Sequence, residues 1–277
     1  MLTITLRIMK LFKYIALTAI PFIASGCDNI SKDDRYIEMP SVEVKRAVLI
    51  EEFTGQSCPN CPDGHRIISA LVNQYGEDAI IPVSIHAGRL SIPDTSPIGL
   101  GTVDGSKYYV AAGSPSVFPS AWFNRVGKPS DERSEWAKIA KTYLGLEPEL
   151  DIVLDAKLET AVEGKQSILI STELKPLKDL KGNLQLWVVE NGIKAFQLDG
   201  SQYDNEYIHN HVFRATVNGL DGTPVTLTNN VYDTSEFSID VASSWKPENL
   251  VIVGFVYNDS GVLQAAQTKV KVESAQE

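Results

Sequence analysis

The sequence predicts two fold classes in succession: a mixed α/β half, then an all-β half built as an antiparallel sandwich. Three observations carry this. Between residues 47 and 87, continuous apolar runs flank one stretch of helical spacing, as buried strands around an amphipathic helix do. From residue 150 onward, apolar residues recur at alternate positions, the period of a half-buried strand. Between the two, Glu147-Pro148-Glu149 interrupts both patterns and reads as a linker.

An export segment precedes both halves. Met9-Lys10-Leu11-Phe12-Lys13 is basic, residues 14–23 are apolar, and Ala24-Ser25-Gly26-Cys27 closes the run with small residues. That is the secretory pattern, and it is too short to anchor as a transmembrane helix. Residues 1–8 read as an upstream extension, because Met9 alone would begin a complete signal peptide. Ile23-Ala24-Ser25-Gly26-Cys27 also resembles the bacterial lipobox, whose cysteine is diacylated and becomes the new N-terminus. Two acyl chains hold a protein on a membrane where one is marginal. The expected organisation is therefore a signal peptide over 1–26 and a lipidation site at Cys27. An acidic flexible tether follows over 27–41, then an α/β domain over 42–146 and a β-sandwich over 147–277. The tether segment Asp28–Arg35 is charged without periodicity. It also resembles the export signal of Bacteroidota surface lipoproteins.

Composition narrows the function classes. The chain has 277 residues, 43% hydrophobic and 22% charged, which is ordinary for a globular protein. Its net charge of −10 argues against a nucleic-acid partner, which would require a basic patch. Beyond the first 26 residues no apolar run is long enough to span a bilayer.

The α/β half opens with Ala47–Gly55, an apolar run ending on a glycine turn. Cys58-Pro59-Asn60-Cys61 then opens the next element, where Pro62 suits a first helical turn. Ile67, Ile68, Leu71, Val72 and Tyr75 fall on one helix face, and Gly76 is the expected C-cap. Ile80–Ala87 reads as a second buried strand. Gly88–Gly105 follows as a polar insertion or lid, then a short helix around Ser106–Ala112 and a strand after Pro119.

Three cysteines occur in the chain, and lipidation at Cys27 leaves two, spaced C-x-x-C. A bridge across two residues closes almost no loop and contributes little stability. Zinc calls for four ligands, and no second cysteine pair exists. Redox chemistry is the better reading. At a helix N-terminus the macrodipole and free N–H groups stabilise a thiolate and lower the first cysteine's pKa.

The order strand, C-x-x-C, helix, strand, helix and an apolar-Pro-Ser segment resembles the thioredoxin superfamily. The resemblance implies Cys58 as nucleophile, Cys61 as resolving thiol and Pro119, after Phe118, as a cis-proline packed on the pair. Pro115 is the rival for that role. Ser57 departs from the tryptophan usual there, and Pro59-Asn60 from Gly-Pro, so the direction of electron flow stays open. Val126-Gly127-Lys128-Pro129 leads at once to Ser130, expected to cap a helix with Asp131 and Glu132 in its first turn. The last strand of the thioredoxin pattern is therefore expected to be reduced.

In the second half, residues 150–158, 168–174 and 184–188 alternate in polarity, and Val251–Tyr257 with Val262–Ala265 reads as a closing hairpin. Short strands at this spacing suggest an immunoglobulin-like sandwich. His209 and His211 would share one strand face, so a shared metal is conceivable, although no third ligand is evident. His209-Asn210-His211 lacks the basic surface of a nuclease. His65 and His86 lie nearer the thiols, and His65 could tune Cys58.

Glu51–Gly64, Phe118–Arg125 and Tyr207–Arg214 together resemble the 28-kDa outer-membrane protein (Omp) family of Bacteroidota lipoproteins. That resemblance implies an outer-membrane or cell-surface location, lipid-anchored. The expected function is thiol–disulfide exchange on a protein thiol or disulfide, with no cofactor and no resident metal. The alternative is a surface binding or adhesion lipoprotein with a static bridge. Metal carriage by the two cysteines and a histidine ranks last.

Overall fold

The computed structural model describes residues 44–161 and 164–272. The expected signal peptide, Cys27 and the whole of the tether lie outside these residues.

The first half runs β1 (Val48–Thr54), α1 (Cys61–Tyr75), β2 (Ile80–His86), α2 (Val103–Ala111), β3 (Ser120–Phe123) and α3 (Trp136–Leu144). β1 pairs in parallel with β2 from Val48↔Ile80 to Thr54↔His86, and antiparallel with β3. This is the element order that the C-x-x-C segment suggests. Three boundaries differ from expectation, each for a local reason. α1 begins at Cys61, because Cys58 occupies the preceding turn with its N–H on Gly55 O at 3.1 Å. α2 begins at Val103, because the Thr102 hydroxyl accepts from Gly105 N and supplies the cap. Ser130 does not cap a helix: its backbone bonds in both directions to Ala121, which delays α3 until Trp136.

The second half supplies β4 (Leu150–Thr160), β5 (Gln166–Pro176), β6 (Leu180–Glu190), β7 (Ile193–Asp199), β8 (Gln202–His209), β9 (Val212–Thr216), β10 (Thr223–Leu227), β11 (Asp233–Asp240), β12 (Leu250–Asn258) and β13 (Gly261–Lys269). They do not form a separate body behind residue 147. The main sheet runs β13-β12-β6-β9-β2-β1-β3, with β10 also on β6, so strands from both sides of that position share one sheet. β11-β5-β4 and β7-β8 form smaller sheets of their own.

Two joints make the sheet continuous. At one, Ser84 of β2 pairs with Val212 of β9, and Ser84 N donates to His211 O at 2.7 Å. At the other, the buried amides of Asn124 and Gln264 serve as connectors. Asn124 Oδ1 accepts from Leu49 N at 2.8 Å, and Asn124 O accepts from Val262 N at 2.7 Å. Gln264 Oε1 accepts from Ala47 N, while its Nε2 donates to Lys45 O, both at 2.9 Å. Gly261, at φ +107°, permits this close approach: a Cβ there would stand 2.5 Å from Asn124 O.

Strand alternation then sorts the side chains into layers. Leu49, Phe53, Val83 and Ile85 point into a core shared with Trp187, Val189, Val253 and Phe255 of the second half. Val48, Ile50 and Ile80 face the opposite way, against Ile68, Leu71, Trp136 and Ala140 of α1 and α3. The outer face of β6 and β12 (Leu184, Leu186, Val188, Ile252, Val256) packs on Leu150, Ile168, Ile170 and Leu174 of the three-stranded layer. The shared core explains why the described residues from Val44 onward form one compact unit: neither half could bury these strands alone.

That core contains a charge. Glu51 accepts from Arg125 Nε and Nη2 at 2.6 and 3.3 Å. The guanidinium lies 4.8–5.4 Å from the ring centres of Tyr108, Trp187, Phe255 and Tyr257. Charge pairing and cation–π contact together compensate its burial.

Candidate functional site

Chain geometry places the two cysteines at the head of α1. β1 ends at Thr54, and Gly55 turns the chain so tightly that a Cβ there would lie 2.5 Å from the Leu90 carbonyl. Cys58 and Cys61 are joined by a disulfide, with their Cα atoms 5.4 Å apart. The Phe118–Pro119 peptide is cis, as the family resemblance implies for Pro119; Pro115 is trans. Phe118 belongs to the same apolar cluster as both cysteines. The Pro119 ring lies 2.9 Å from where a Gly64 Cβ would stand, so it packs on the first turn of α1. Cys58, Cys61 and Pro119 are thus brought together.

The sulfurs are more enclosed than a pair at a helix tip leads one to expect. Cys58 is 1% and Cys61 0% exposed. The cover comes from two places far apart in sequence. The loop after β2 bonds Leu90 O to Ser57 N at 2.9 Å. The β7–β8 hairpin lies along residues 56–59: Leu198 N donates to Gln56 O at 2.8 Å, and Gly200 N to Pro59 O at 2.9 Å. Two buried amides clamp these pieces. Gln56 Nε2 donates to Ile98 O and Phe196 O at 2.6 and 3.1 Å, while its Oε1 accepts from Leu100 N. Gln197 Nε2 donates to Cys58 O at 3.0 Å. The insertion expected over Gly88–Gly105 is therefore half of the cover.

On the α1 side of the sheet His65 meets a buried carboxyl, His211 lines the same cavity, and His209 and His86 follow beside His65. Glu52 is 1% exposed; Ser84 Oγ donates to its Oε2 at 3.3 Å, and His65 Nε2 lies 3.5 Å from it. His65 Nδ1 meets Tyr207 Oη at 2.8 Å. The His86 and His209 rings lie 5.3 Å apart. Among the described residues, Glu52 Oε1, both ring nitrogens of His86 and Nδ1 of His209 have no hydrogen-bond partner. Burial pushes the Glu52 carboxyl up to about 8 against the weaker opposing bond from Ser84. Burial likewise holds His65 down to about 3 and His209 and His211 down to about 4, with His86 well below its usual value. At neutral pH the cluster is uncharged: a protonated acid among neutral imidazoles. A cavity of about 450 Å³ between α1 and β8 reaches Glu52, His65, Ser84, Tyr207 and His211.

Sequence reasoning places His65 and His86 near the thiols, and both lie in this cluster. It misses Glu52, whose one signal is a carboxylate inside an otherwise apolar strand run. Gln56 and Gln197 carry no signal, since their role exists only after the hairpin folds back. His209 and His211 do not share a strand face: β8 ends at His209, and His211 takes a left-handed φ of 57° where the chain turns toward β9. Among the described residues no group of three or more His, Cys, Asp or Glu is arranged to hold a metal.

The family model for outer membrane protein Omp28 matches residues 106–274. The chain belongs to the Omp28 family. The match runs from α2 through β13 and includes Pro119; it begins after the cysteine pair, so membership by itself says nothing about redox chemistry. It places the Omp28-family chain at the outer membrane, the location the sequence reading gives. Among the described residues no helix is long and apolar enough to cross a membrane. Among solved structures, HBP35 of Porphyromonas gingivalis is similar over 84% of this chain and 78% of that chain, with a TM-score of 0.66 and 15% identity, a likeness of fold. A domain of the outer membrane lipoprotein Omp28 from Porphyromonas gingivalis matches 47% of this chain and 93% of that chain at 22% identity, with a TM-score of 0.33. No curated protein matches the chain.

Proposed function

We propose that this Omp28-family chain is lipid-anchored through Cys27 and that its Cys58–Cys61 pair exchanges disulfides with a partner protein. One observation carries the reading. A disulfide that closes a two-residue loop, and so contributes little stability, sits at the N-terminus of α1, whose first turn packs on the Glu52 carboxyl: a Cβ on Gly64 would stand 2.5 Å from Glu52 Oε1. A partner thiolate attacks Cys58 Sγ, the Cys58–Cys61 bond breaks, and Cys61 leaves as a thiolate that takes a proton from Glu52. The partner's second thiolate then attacks its own sulfur in the mixed disulfide and releases Cys58. The partner is oxidised by two electrons, and the pair is reduced to a Cys61 thiol and a Cys58 thiolate. Each step is reversible, so a partner disulfide is reduced by the same route run backward.

The net charge of −10 favours a protein over a nucleic acid as partner. The strand order β11-β5-β4 facing β10-β6-β12-β13 supports an immunoglobulin-like sandwich, with β4, β5 and β11 as its A, B and E strands. In this reading the sandwich supplies the wall behind the exchange site.

Insulin reduction by the purified protein tests the proposal. Cys58→Ser should abolish turnover, and Cys61→Ser should accumulate the mixed disulfide. Turnover that survives in Cys58→Ser would overturn the reading. A binding or adhesion role with a static bridge is the second reading, favoured by the near-complete burial of both sulfurs. A reduction potential below about −300 mV would select it.

A further inference from the structure

We infer that the β7–β8 hairpin is a built-in cover over the Cys58–Cys61 disulfide, and that the pair reacts only when this hairpin lifts. The inference deepens the exchange reading and concerns access to the same site. Its first support is the seating of the hairpin. Leu198 N, Gly200 N and Gln197 Nε2 occupy the carbonyls of Gln56, Pro59 and Cys58, so β7 takes the backbone acceptors beside the disulfide that an approaching extended segment would use. Its flank is pinned from α1: Arg66 Nη1 reaches Asp199 at 3.4 Å, and His65 reaches Tyr207 at 2.8 Å.

The second support is that what else holds the hairpin down is chiefly polar, including Gln56 Nε2 on Phe196 O at 3.1 Å and the His209 ring 5.3 Å from His86. β7 and β8 pair with each other in a two-stranded sheet and form no ladder with the main sheet. Their apolar anchor is one small cluster, in which Ile193 and Ala195 meet Leu100 and Val212. Tyr203 and Ile208 point outward, 76% and 50% exposed. Elements held by few apolar contacts and several polar ones open at far lower cost than the global fold.

The third support is the neck. The hairpin leaves the body at Asn191-Gly192 and returns at Asn210-His211, and both Gly192 (φ 68°) and His211 (φ 57°) are left-handed. Asn191 Oδ1 accepts from His211 N at 2.7 Å, and Asn210 Oδ1 from Gly192 N at 2.9 Å. Two side-chain amides thus bridge the base of the hairpin, and rotation at these four residues swings it as a unit. The loop over residues 88–101 lacks that freedom, because Leu90 is wedged against Gly55.

The test is the rate at which a small phosphine reduces the disulfide in the folded full-length protein, read by alkylation and mass. Gln197→Ala removes the bond to Cys58 O and should speed reduction about five- to tenfold, the factor expected for one or two lost hydrogen bonds. Asp199→Ala, at the exposed rim, should speed it about two- to threefold, and it carries the test should Gln197→Ala not fold. Amide exchange at Leu198 and Gly200 in the wild type should run through openings far more frequent than global unfolding. Reduction no faster in either variant, while those amides exchange faster, would overturn the cover. Faster phosphine reduction without insulin turnover would uphold the cover and defeat the exchange reading. Insulin turnover with unchanged phosphine reduction would do the reverse.

Discussion

Glu51 and Glu52 are neighbours on one strand, equally buried at 1% exposure, and the fold treats them in opposite ways. Glu51 faces the core shared by both halves, where a two-bond ion pair with Arg125 compensates its charge and four aromatic rings in turn surround the guanidinium. Glu52 faces α1, where it receives one long bond from Ser84, neutral histidines, and nothing at Oε1 among the described residues. Burial alone therefore does not decide the state of a carboxyl. A satisfied charge holds the architecture, whereas an unsatisfied one binds a proton near neutrality and becomes available for chemistry.

The sharpest way to break this comparison is at Arg125. Arg125→Ala removes the partner of Glu51, which must then remain an unpaired charge or take up a proton inside an apolar core, so chemical denaturation should show a loss of roughly 3–5 kcal/mol. A loss below about 1 kcal/mol would mean that Glu51 is not held as an ion, and the contrast with Glu52 would collapse.

The second expected effect is a pH dependence whose sign differs between the two limbs. The folded pKa of Glu52 is raised to about 8, so the native state keeps a proton that the unfolded chain releases near its ordinary value. Stability from this group is fully present below that ordinary value and is lost as pH rises toward 8. The histidines work the other way: depressed in the folded state, they withdraw stability as pH falls below about 6.5. Between 4.5 and 6.5 the several imidazoles outweigh the one carboxyl, and above 6.5 the carboxyl acts alone. The melting temperature should peak near pH 6.5. Stability should fall above that peak by up to about 1.4 kcal/mol per pH unit until pH 8. Glu52→Gln should erase the alkaline limb and leave the acid limb intact. An alkaline limb that persists in Glu52→Gln would remove Glu52 from its assigned state.

The comparison also shows what the sequence makes legible. The β1–α1–β2 order and the cysteine pair are local patterns readable from periodicity and spacing, whereas Pro119 follows from the resemblance of the element order to a known superfamily. The closing hairpin at 250–269 is equally local, and alternation finds it. The merging of the two halves is not local: it depends on Ser84 meeting Val212, and Asn124 meeting Val262, across more than a hundred residues. Alternation cannot reveal it, because a strand buried on both faces shows a continuous apolar run whichever sheet lies opposite. The site divides in the same way. Cys58 and Cys61 announce themselves, whereas Glu52 resembles core, and Gln197 becomes part of the site only through the fold-back of a hairpin 139 residues away from Cys58.

The smallest expected effect sharpens the contrast most finely. Ser84 supplies the bond that favours ionised Glu52, its hydroxyl donating to Oε2 at 3.3 Å. At pH 6.5 the carboxyl is protonated in any case, so Ser84→Ala should change stability by no more than about 1 kcal/mol. It should move the alkaline limb to higher pH, because the charged form loses its one hydrogen-bond donor. A limb displaced to lower pH would mean that Ser84 serves the protonated acid instead. Glu52 would then be a satisfied group like its neighbour, held neutral by a designed bond rather than by the absence of one.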